Sequence, residues 1–323
     1  MKKIGVFTSG GDAPGMNACI RAVVKTAIYH GIEVVGIIKG YQGIVDKDFI
    51  PLTEKSVSNI IQQGGTILKS ARCDEFRTKK GRKKAYKNLK AAGIDGVVAI
   101  GGDGTFTGAA VFMREYPAIK FVGCPGTIDN DLHGVDFTIG YDTAINTAMN
   151  AIDKIKDTAN ADARLFFIEV MGRDVGFIAL RSGIATGAET VLIPETSTSI
   201  EALVETIEQH YKRKKSSIIV VVAEGEEMGG AVKVAKKVSK RFTALSTRVT
   251  ILGHIQRGGS PTATERVNAS WMGLEAVKAL LAGKKGIMVG IVKNQVTHTP
   301  FEKAIKHNQE ISPKLLEMVK ILA

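Results

Sequence analysis

The stretch that decides the fold is Gly96-Val97-Val98-Ala99-Ile100-Gly101-Gly102-Asp103-Gly104-Thr105. Its first half is a β-branched apolar run, typical of a buried strand, and glycines follow where the strand ends. In open α/β sheets a ligand binds beyond the carboxyl ends of strands, where glycine lets it approach the backbone closely. This loop suits a triphosphate, and Asp103 offers the oxygen ligand that Mg²⁺ prefers. The alternative is a structural turn in which Asp103 caps the following helix.

Similar apolar runs recur along the chain and alternate with stretches whose apolar residues follow a helical spacing. The runs lie at residues 4–7, 33–38, 96–100, 120–122, 165–170, 218–222 and 287–292. This alternation predicts a parallel sheet covered by helices, so the predicted fold class is α/β. No linker rich in Pro, Gly or Ser separates two halves. We therefore expect two domains, if present, to share the chain back and forth.

Composition leaves several classes of function open. The chain has 323 residues and a net charge of +12, which allows two domains and is compatible with any anionic partner, from nucleic acid to a phosphorylated metabolite. Its three cysteines are too few for a disulfide framework, so we expect a reducing, cytoplasmic compartment. The first apolar run is too short for a signal peptide and no run is long enough to span a membrane, so we expect no membrane partner.

Two further loops follow predicted strands. Thr8-Ser9-Gly10-Gly11-Asp12-Ala13-Pro14-Gly15 precedes a helix, a setting that suits a phosphate and equally a tight turn. Pro125-Gly126-Thr127-Ile128-Asp129-Asn130-Asp131 follows the run at residues 120–122. Carboxylates this close repel each other, so at least one needs a cation, a metal or a hydrogen-bond donor, which is the setting of a general base. The same run is good turn chemistry, so the residues leave both interpretations open.

A fourth group of residues is basic. Met171-Gly172-Arg173 ends one apolar run, and Gly253-His254-Ile255-Gln256-Arg257-Gly258-Gly259 is a glycine-rich turn. Arginine forks bind phosphate at two points, and a neighbouring histidine adds charge. We interpret His254 as a hydrogen-bond donor to a bound phosphate rather than as a base, because it lies near Arg257 in a glycine-rich turn.

These motifs together resemble those of the bacterial ATP-dependent 6-phosphofructokinases. The resemblance runs from Lys3 to about Gly290 and rests on motifs in the family's order, at residues 8–17, 64–66 with 70–72, 101–105, 125–131, 171–173 and 253–261. It implies two Rossmann-like three-layer αβα domains with mainly parallel sheets. Residues 1–138 and 252–304 would bind ATP, and residues 139–251 and 305–323 would bind fructose 6-phosphate.

The resemblance implies phosphorylation of fructose 6-phosphate at its 1-hydroxyl by ATP with Mg²⁺. ATP would be held by Gly11, Tyr41, Arg72, Cys73, Gly102, Asp103, Gly104 and Thr105, with Asp103 taking the metal. Asp129 matches the base that takes the hydroxyl proton. The other implied catalytic residues are Thr127 and Arg173, which help to place the reacting groups, Arg72, which offsets charge on the transferring phosphoryl, and the ATP-binding residue Gly11.

The sugar phosphate would be bound by residues of one subunit, namely Thr127, Ile128, Asp129, Met171, Gly172, Arg173, Glu224, His254 and Arg257. Arg164 and Arg248 would reach in from a neighbouring subunit of a homotetramer. Diphosphate-using relatives typically carry Asp at the position of Gly104 and Lys at that of Gly126. Glycine at both positions favours ATP as the donor.

An effector site is also implied, by Arg21, Lys25, Lys156, Gly187, Glu189, Arg213 and Lys215. Lys25 and Lys156 replace residues that are usually arginine, and Glu54 stands where relatives often have arginine. Lysine is a poorer two-point partner for phosphate and a carboxylate repels one. We therefore expect a weakened response to ADP or phosphoenolpyruvate. Asp174 is another unusual residue, for which the sequence offers no explanation.

Two alternatives stay open at the level of the residues. An NAD- or lipid-kinase-like enzyme would share Gly-Gly-Asp-Gly-Thr but leave residues 171–173 and 253–261 without a task. A nucleic-acid-binding protein would use the basic surface and bind with a steep dependence on salt. The basic clusters at residues 79–84 and 212–215 do not alternate with aromatic residues, as a single-strand surface requires. We therefore interpret the first cluster as a solvated helix face and expect no nucleic-acid partner.

Overall fold

A computed structural model describes residues 1–161, 164–213, 217–306 and 310–322. Up to residue 161 the elements are β1 (Lys3–Thr8), α1 (Met16–Tyr29), β2 (Glu33–Ile37), α2 (Tyr41–Asp46), β3 (Phe49–Leu52), α3 (Lys79–Ala91), β4 (Gly96–Gly101), α4 (Asp103–Glu115), β5 (Lys120–Pro125) and α5 (Tyr141–Ala161). From residue 164 they are β6 (Arg164–Val170), α6 (Phe177–Thr186), β7 (Thr190–Leu192), α7 (Ile200–Lys212), β8 (Ser217–Ala223), α8 (Gly230–Ser239), β9 (Ser246–Ile251), α9 (Ala263–Leu281), β10 (Ile287–Val292), β11 (Gln295–Pro300), α10 (Phe301–Lys306) and α11 (Pro313–Leu322).

The chain divides into two compact units. The first unit comprises Met1–Thr143 and Arg257–Gln309, and the second comprises Ala144–Gln256 and Glu310–Ala323. The chain therefore leaves the first unit within α5, builds most of the second, returns for α9 to α10, and crosses again before α11.

The first unit is built on a sheet whose described strands follow the order β11-β10-β5-β4-β1-β2-β3. Its inner strands run parallel, and β3 and β11 pair antiparallel at the two edges. All of β4 is buried, as expected for a parallel strand covered on both faces. Because β5, β4 and β1 are neighbours, their carboxyl ends meet at the same edge of the sheet.

The second unit has a parallel sheet whose described strands follow the order β7-β8-β6-β9. β8 is buried along its whole length. Apolar side chains of β6 and β8 pack with Leu203 and Ile207 of α7 and Val234 of α8 in one core. β9 lies at the sheet edge, and most of its residues are exposed.

The predicted α/β class with mainly parallel sheets is confirmed, and each predicted apolar run lies in a strand except for Ile38, which follows the end of β2. The sequence did not predict β3, β7, β9 and β11. β7 spans only Thr190–Leu192, while β3, β9 and β11 lie at sheet edges with exposed residues interspersed. Edge strands need no continuous apolar run, because one side of the strand has no neighbour.

A buried carboxylate joins two helix starts in the first unit. Glu265, in the first turn of α9, is 3% exposed. Its Oε2 accepts hydrogen bonds from the backbone N and the Oγ1 of Thr143, near the start of α5, both at 3.3 Å. Burial raises the pKa of Glu265 to about 7, against the opposing effect of hydrogen bonds from Gly140 and Thr143.

Because the pKa of Glu265 is raised in the folded state, we expect the free energy of unfolding to fall as the pH rises. Below pH 4.5 the carboxyl is protonated in both the folded and the unfolded state, whereas between pH 4.5 and about 7 it ionises only in the unfolded state. At about 1.36 kcal/mol per pKa unit, about 3 kcal/mol is lost across this window. We expect Glu265→Gln to remove this contribution, measured as the urea midpoint from pH 4.5 to 8. Glu275→Gln is the control, because Glu275 pairs with Lys278 at 3.0 Å on the same helix. Equal pH slopes in wild type and Glu265→Gln would contradict the prediction.

Candidate active site

Three predicted loops converge at the carboxyl ends of β1, β4 and β5. Ser9 N donates to Ile100 O at 3.0 Å, and Gly126 N donates to Gly101 O at 3.0 Å. A Cβ at Gly102 would lie 3.8 Å from Cβ of Thr127. The structure therefore brings together the loop at residues 8–15, the loop at residues 101–105 and the loop at residues 125–131, which we call the first, second and third loops.

The second loop leads directly into α4, so backbone N–H groups and the positive end of the helix dipole are available together to bind an anion such as phosphate. Asp103 is the first residue of α4 and is exposed, with Oδ1 accepting from Gly104 N at 2.6 Å. Nothing lies within 4 Å of a Cβ built at Gly104. An exposed carboxylate beside open backbone fits Mg²⁺, which is commonly held by one or two carboxylates and substrate phosphates. The described residues hold no cluster of three or more His, Cys, Asp or Glu that would form an all-protein metal site.

The third loop divides turn chemistry and acid chemistry between neighbouring residues. Asn130 adopts a left-handed φ of 56°, and its side chain accepts from Thr138 N at 2.8 Å and donates to Asp136 O at 3.1 Å. The backbone N of Asp129 donates to Thr127 Oγ1 at 3.2 Å, and Asp129 is 7% exposed. The side chains of Asn130 and Thr127 therefore hold the turn, and Asp129 lies in a shielded place suited to a base. Ile128, which was also predicted to bind the sugar phosphate, is fully buried.

Arg257 lies against the first loop. Its Nη1 donates to Asp12 O at 3.3 Å, and a Cβ at Gly11 would overlap its guanidinium group. Gly11 is itself exposed. Arg257 was predicted to bind the sugar phosphate, and the structure places its cationic end in the first unit, beside the predicted ATP residue Gly11.

Tyr41 supports the second loop from inside the unit. Its hydroxyl donates to Thr105 O at 2.5 Å, and its ring stacks on Phe76 with centroids 4.1 Å apart. Burial raises the pKa of the Tyr41 phenol well above its usual range. Arg72 is exposed and Cys73 is half-buried, with burial raising the pKa of the Cys73 thiol. The structure thus places Tyr41 behind the loop, whereas Arg72 lies at the surface.

In the second unit, two side chains hold the backbone of the predicted sugar-phosphate residues Met171 and Arg173. Glu224 Oε1 accepts from Arg173 N at 2.7 Å, where Gly172 and Arg173 both have positive φ. Gln256 is fully buried and accepts from Met171 N at 3.3 Å while donating to Gly253 O at 3.0 Å. The sequence analysis did not predict this role of Gln256, although the residue lies beside Arg257 in the glycine-rich turn. His254 is exposed.

The structure gives Asp174 an explanation. Its Oδ2 lies 3.4 Å from Nε of Arg173, and both side chains are largely exposed. The unusual aspartate therefore places a negative charge directly beside the arginine that was predicted to bind the sugar phosphate.

Arg164 and Arg248 lie on one face of the second sheet. In the parallel pairing of β6 with β9, Phe166 is opposite Arg248. Arg164 is two residues before Phe166, and residues two apart on a strand share a face. The register thus brings these two predicted residues onto the same side, with Arg248 exposed on the edge strand.

The predicted effector residues do not all lie in the same unit. Arg21 and Lys25 are half-buried on α1 of the first unit. In the second unit, Nζ of Lys156 donates to Thr186 O at 2.5 Å and Gly187 O at 3.3 Å, and Glu189 Oε2 accepts from Ile219 N at 2.7 Å. Arg213 follows the end of α7 and is exposed. Lys215 lies outside the described residues.

Comparison with known proteins agrees with this arrangement. The phosphofructokinase family model matches residues 3–280. ATP-dependent 6-phosphofructokinase 1 of Thermus thermophilus is 54% identical over 323 residues, which cover all of both chains. ATP-dependent 6-phosphofructokinase 2 of Bacteroides thetaiotaomicron is 52% identical over 323 residues, covering all of this chain and 99% of the relative.

Solved structures show the same fold. Phosphofructokinase from Saccharomyces cerevisiae superposes with a TM-score of 0.90 at 37% identity, covering 95% of this chain and 45% of the yeast chain. A pyrophosphate-dependent phosphofructokinase from Marinobacter aquaeolei has a TM-score of 0.86 at 22% identity, covering all of this chain and 91% of the other, which bears on fold alone. No helix in the described part of the chain has the length and apolar character to cross a membrane. On the family model and the full-length relatives, the chain belongs to the phosphofructokinase family.

Proposed function

We propose that the chain transfers the γ-phosphoryl group of ATP to the 1-hydroxyl of D-fructose 6-phosphate, giving fructose 1,6-bisphosphate and ADP. The observation that carries this proposal is the convergence of the three loops of the first unit. It places an exposed Asp103 beside open backbone at a helix start, next to a loop that carries the shielded Asp129. Phosphoryl transfer needs such positioning and charge stabilisation more than covalent chemistry.

In this proposal each loop has its own task. The backbone of the first and second loops, Gly11 and residues 102–105, binds the phosphates of ATP. Asp103 holds Mg²⁺, which neutralises charge on the phosphate oxygens when bound. Asp129 accepts the proton of the attacking hydroxyl. Thr127 accepts the backbone N–H of residue 129 at 3.2 Å, so it keeps the base in place, and Arg72 offsets charge on the transferring group.

The sugar phosphate is bound by the basic residues of the second unit. Arg173 supplies a two-point phosphate contact, and the backbone around it is held by Glu224 and Gln256. Gly104 and Gly126 favour ATP over diphosphate as the donor. The open space around Gly104 supports this assignment, because a nucleotide phosphate can approach the backbone there.

We also propose a cytoplasmic homotetramer with shared sites. Arg248 lies on β9, an edge strand whose Val249 and Ile251 are 38% and 55% exposed. An exposed strand edge with apolar side chains is a ready surface for another chain. Light scattering of the purified protein tests this assembly.

Lys156 and Glu189 already form hydrogen bonds with backbone groups of their own unit, so we expect a weak response to ADP.

One assay tests the proposed function. The protein is incubated with fructose 6-phosphate, Mg²⁺ and ATP, and fructose 1,6-bisphosphate and ADP are followed, with diphosphate as an alternative donor and NAD as an alternative acceptor. The proposal expects bisphosphate with ATP only. Absence of fructose 1,6-bisphosphate with every donor would refute it.

Asp174 leads to a separate prediction. Its charge competes with the phosphate for Arg173, so Asp174→Asn should lower the KM for fructose 6-phosphate about 2- to 5-fold, in line with an exposed ion pair of up to about 1 kcal/mol. The effect should shrink at high salt, and kcat should not change. Initial rates at low and high ionic strength measure this. Asp48→Asn, an exposed aspartate of the first unit, is the control for net charge. A KM for fructose 6-phosphate that is unchanged at low salt would show that Asp174 has no such role.

A further inference from the structure

Glu265 is a buried acid to which the proposed reaction assigns no role. Thr262 caps α9, and its Oγ1 accepts from Glu265 N at 3.1 Å. In an ordinary capping box the glutamate three residues on turns back to the backbone N–H of the cap. Here Thr262 N donates to Thr143 Oγ1 at 3.3 Å instead. The glutamate reaches out of its own helix, and its oxygen accepts from both donors of Thr143.

The same side chain lies against the end of the first loop. Gly15, the residue before α1, has a φ of 102°. A Cβ at Gly15 would lie 2.9 Å from Cγ of Glu265 and 3.0 Å from Cγ2 of Ile139. The last residue of the first loop therefore packs against Glu265 and against the segment that precedes α5.

Residues 139–143, which comprise the end of that segment and the first residues of α5, also hold the third loop. Thr127 N donates to Ile139 O at 3.1 Å, and Ile139 N donates to Pro125 O at 2.7 Å. A Cβ at Gly140 would lie 3.0 Å from Cγ2 of Ile128 and would overlap Ala13 of the first loop. Movement of residues 139–143 would therefore shift the backbone that leads into Asp129 together with the first loop.

We propose that Glu265 is a positioning residue for phosphoryl transfer. Its acceptor oxygens hold residues 139–143, and these residues set the first loop relative to the third loop that carries Asp129. The inference rests on the proposed function. Loss of the acceptor oxygens leaves buried donors of Thr143 without this partner, which lowers stability, and a misplacement of about 1 Å at a reacting group can cost about 10²-fold in rate. Removal of Glu265 should therefore lower kcat even in a variant that still folds.

The test separates the acceptor oxygen from the volume of the side chain. Glu265→Met keeps a similar volume without an acceptor, and we expect it to lower kcat about 10- to 100-fold while the KM for fructose 6-phosphate changes less than about 3-fold. Glu265→Gln keeps one acceptor oxygen and should retain kcat within about 3-fold. Glu275→Met, the same change at an ion-paired site on α9, should match wild type. Fluorescence of Trp271, the only tryptophan and also on α9, reports the packing of each variant.

Two measurements keep the inference testable if activity or folding fails. Backbone hydrogen exchange should rise at Thr127 and through residues 8–15 in Glu265→Met, whether or not the wild type phosphorylates fructose 6-phosphate. If Glu265→Met does not fold, Thr143→Val removes the partner hydroxyl, and we expect it to lower kcat about 3- to 10-fold and to raise the same exchange. Unchanged exchange in the folded variants, or a kcat of Glu265→Met within about 3-fold of wild type, would overturn the inference. An inactive wild type would instead overturn the proposed function.

Discussion

Replacing Asp129 with Asn is expected to lower kcat at least about 10²-fold, with little change in the KM of either substrate. The amide cannot accept the proton of the attacking hydroxyl, so an interaction made in the transition state is lost. The fold of the loop should survive, because its turn depends on Asn130 and on the Thr138 hydroxyl, which donates to Thr127 O at 2.6 Å. Steady-state kinetics with both substrates varied, together with thermal melting, measure the two effects.

Asp131→Asn is the matched control for this prediction. Asp131 is the other carboxylate of the same run and is only half-buried, so we expect it to support the base or the water shell of the metal. Its loss should lower kcat less than about 10-fold. An Asp129→Asn variant that keeps kcat within about 3-fold of wild type would make Asp129 a structural residue and would move the role of base elsewhere.

Replacing Gly104 with Asp should lower kcat/KM for ATP at least about 10²-fold while leaving the protein folded. A Cβ at this position meets nothing within 4 Å, and an acid in the first turn of α4 is favourable to the helix. Its charge would face the triphosphate. Two unit charges about 4 Å apart repel by about 4 kcal/mol at the effective dielectric of a protein surface, which Mg²⁺ offsets in part. Thermal melting and ATP-dependent rates measure the two sides of this prediction.

Gly104→Ala separates charge from the loss of glycine. The added methyl occupies the same open space without charge, so we expect kcat/KM for ATP to stay within about 5-fold of wild type. Diphosphate is assayed as a donor with both variants. Position 126 is still glycine in both, whereas diphosphate-using relatives typically carry lysine there. If Gly104→Asp and Gly104→Ala lower kcat/KM equally, space rather than charge selects the donor at this position. An unchanged kcat/KM for ATP in Gly104→Asp would remove Gly104 from the donor site.

Much of the fold could be predicted because parallel strands are buried on both faces and appear as continuous apolar runs. β4 and β8 are the clearest cases, since all their residues are buried. The edge strands β9 and β11 have no such signal, because their pairing comes from a neighbouring strand rather than from their own composition. Similarly, the first two glycine-rich loops were located from the strands that precede them.

The sequence left the run from Asp129 to Asp131 as an even choice between base and turn, and the structure shows that Asn130 takes part in a turn. Asn130 makes the turn through Thr138 and Asp136, contacts that depend on how residues 136–139 fold back. Gln256 and Tyr41 are similar cases. Each holds the backbone of a loop distant in sequence, Met171 and Thr105 respectively, so spacing along the chain carries no sign of the contact.

By itself the sequence determined the α/β class, the strands that lead into glycine-rich loops, and the residue types that suit phosphate, metal and proton transfer. These are local properties, because strand, glycine turn and helix start follow from neighbouring residues. Only the tertiary structure decided that β1, β4 and β5 lie side by side, so that their loops meet, and that Arg164 and Arg248 share a face. It also decided the burial that raises the pKa of Glu265 to about 7. Strand order, register and burial arise from pairings between residues far apart in the chain, which no short pattern records.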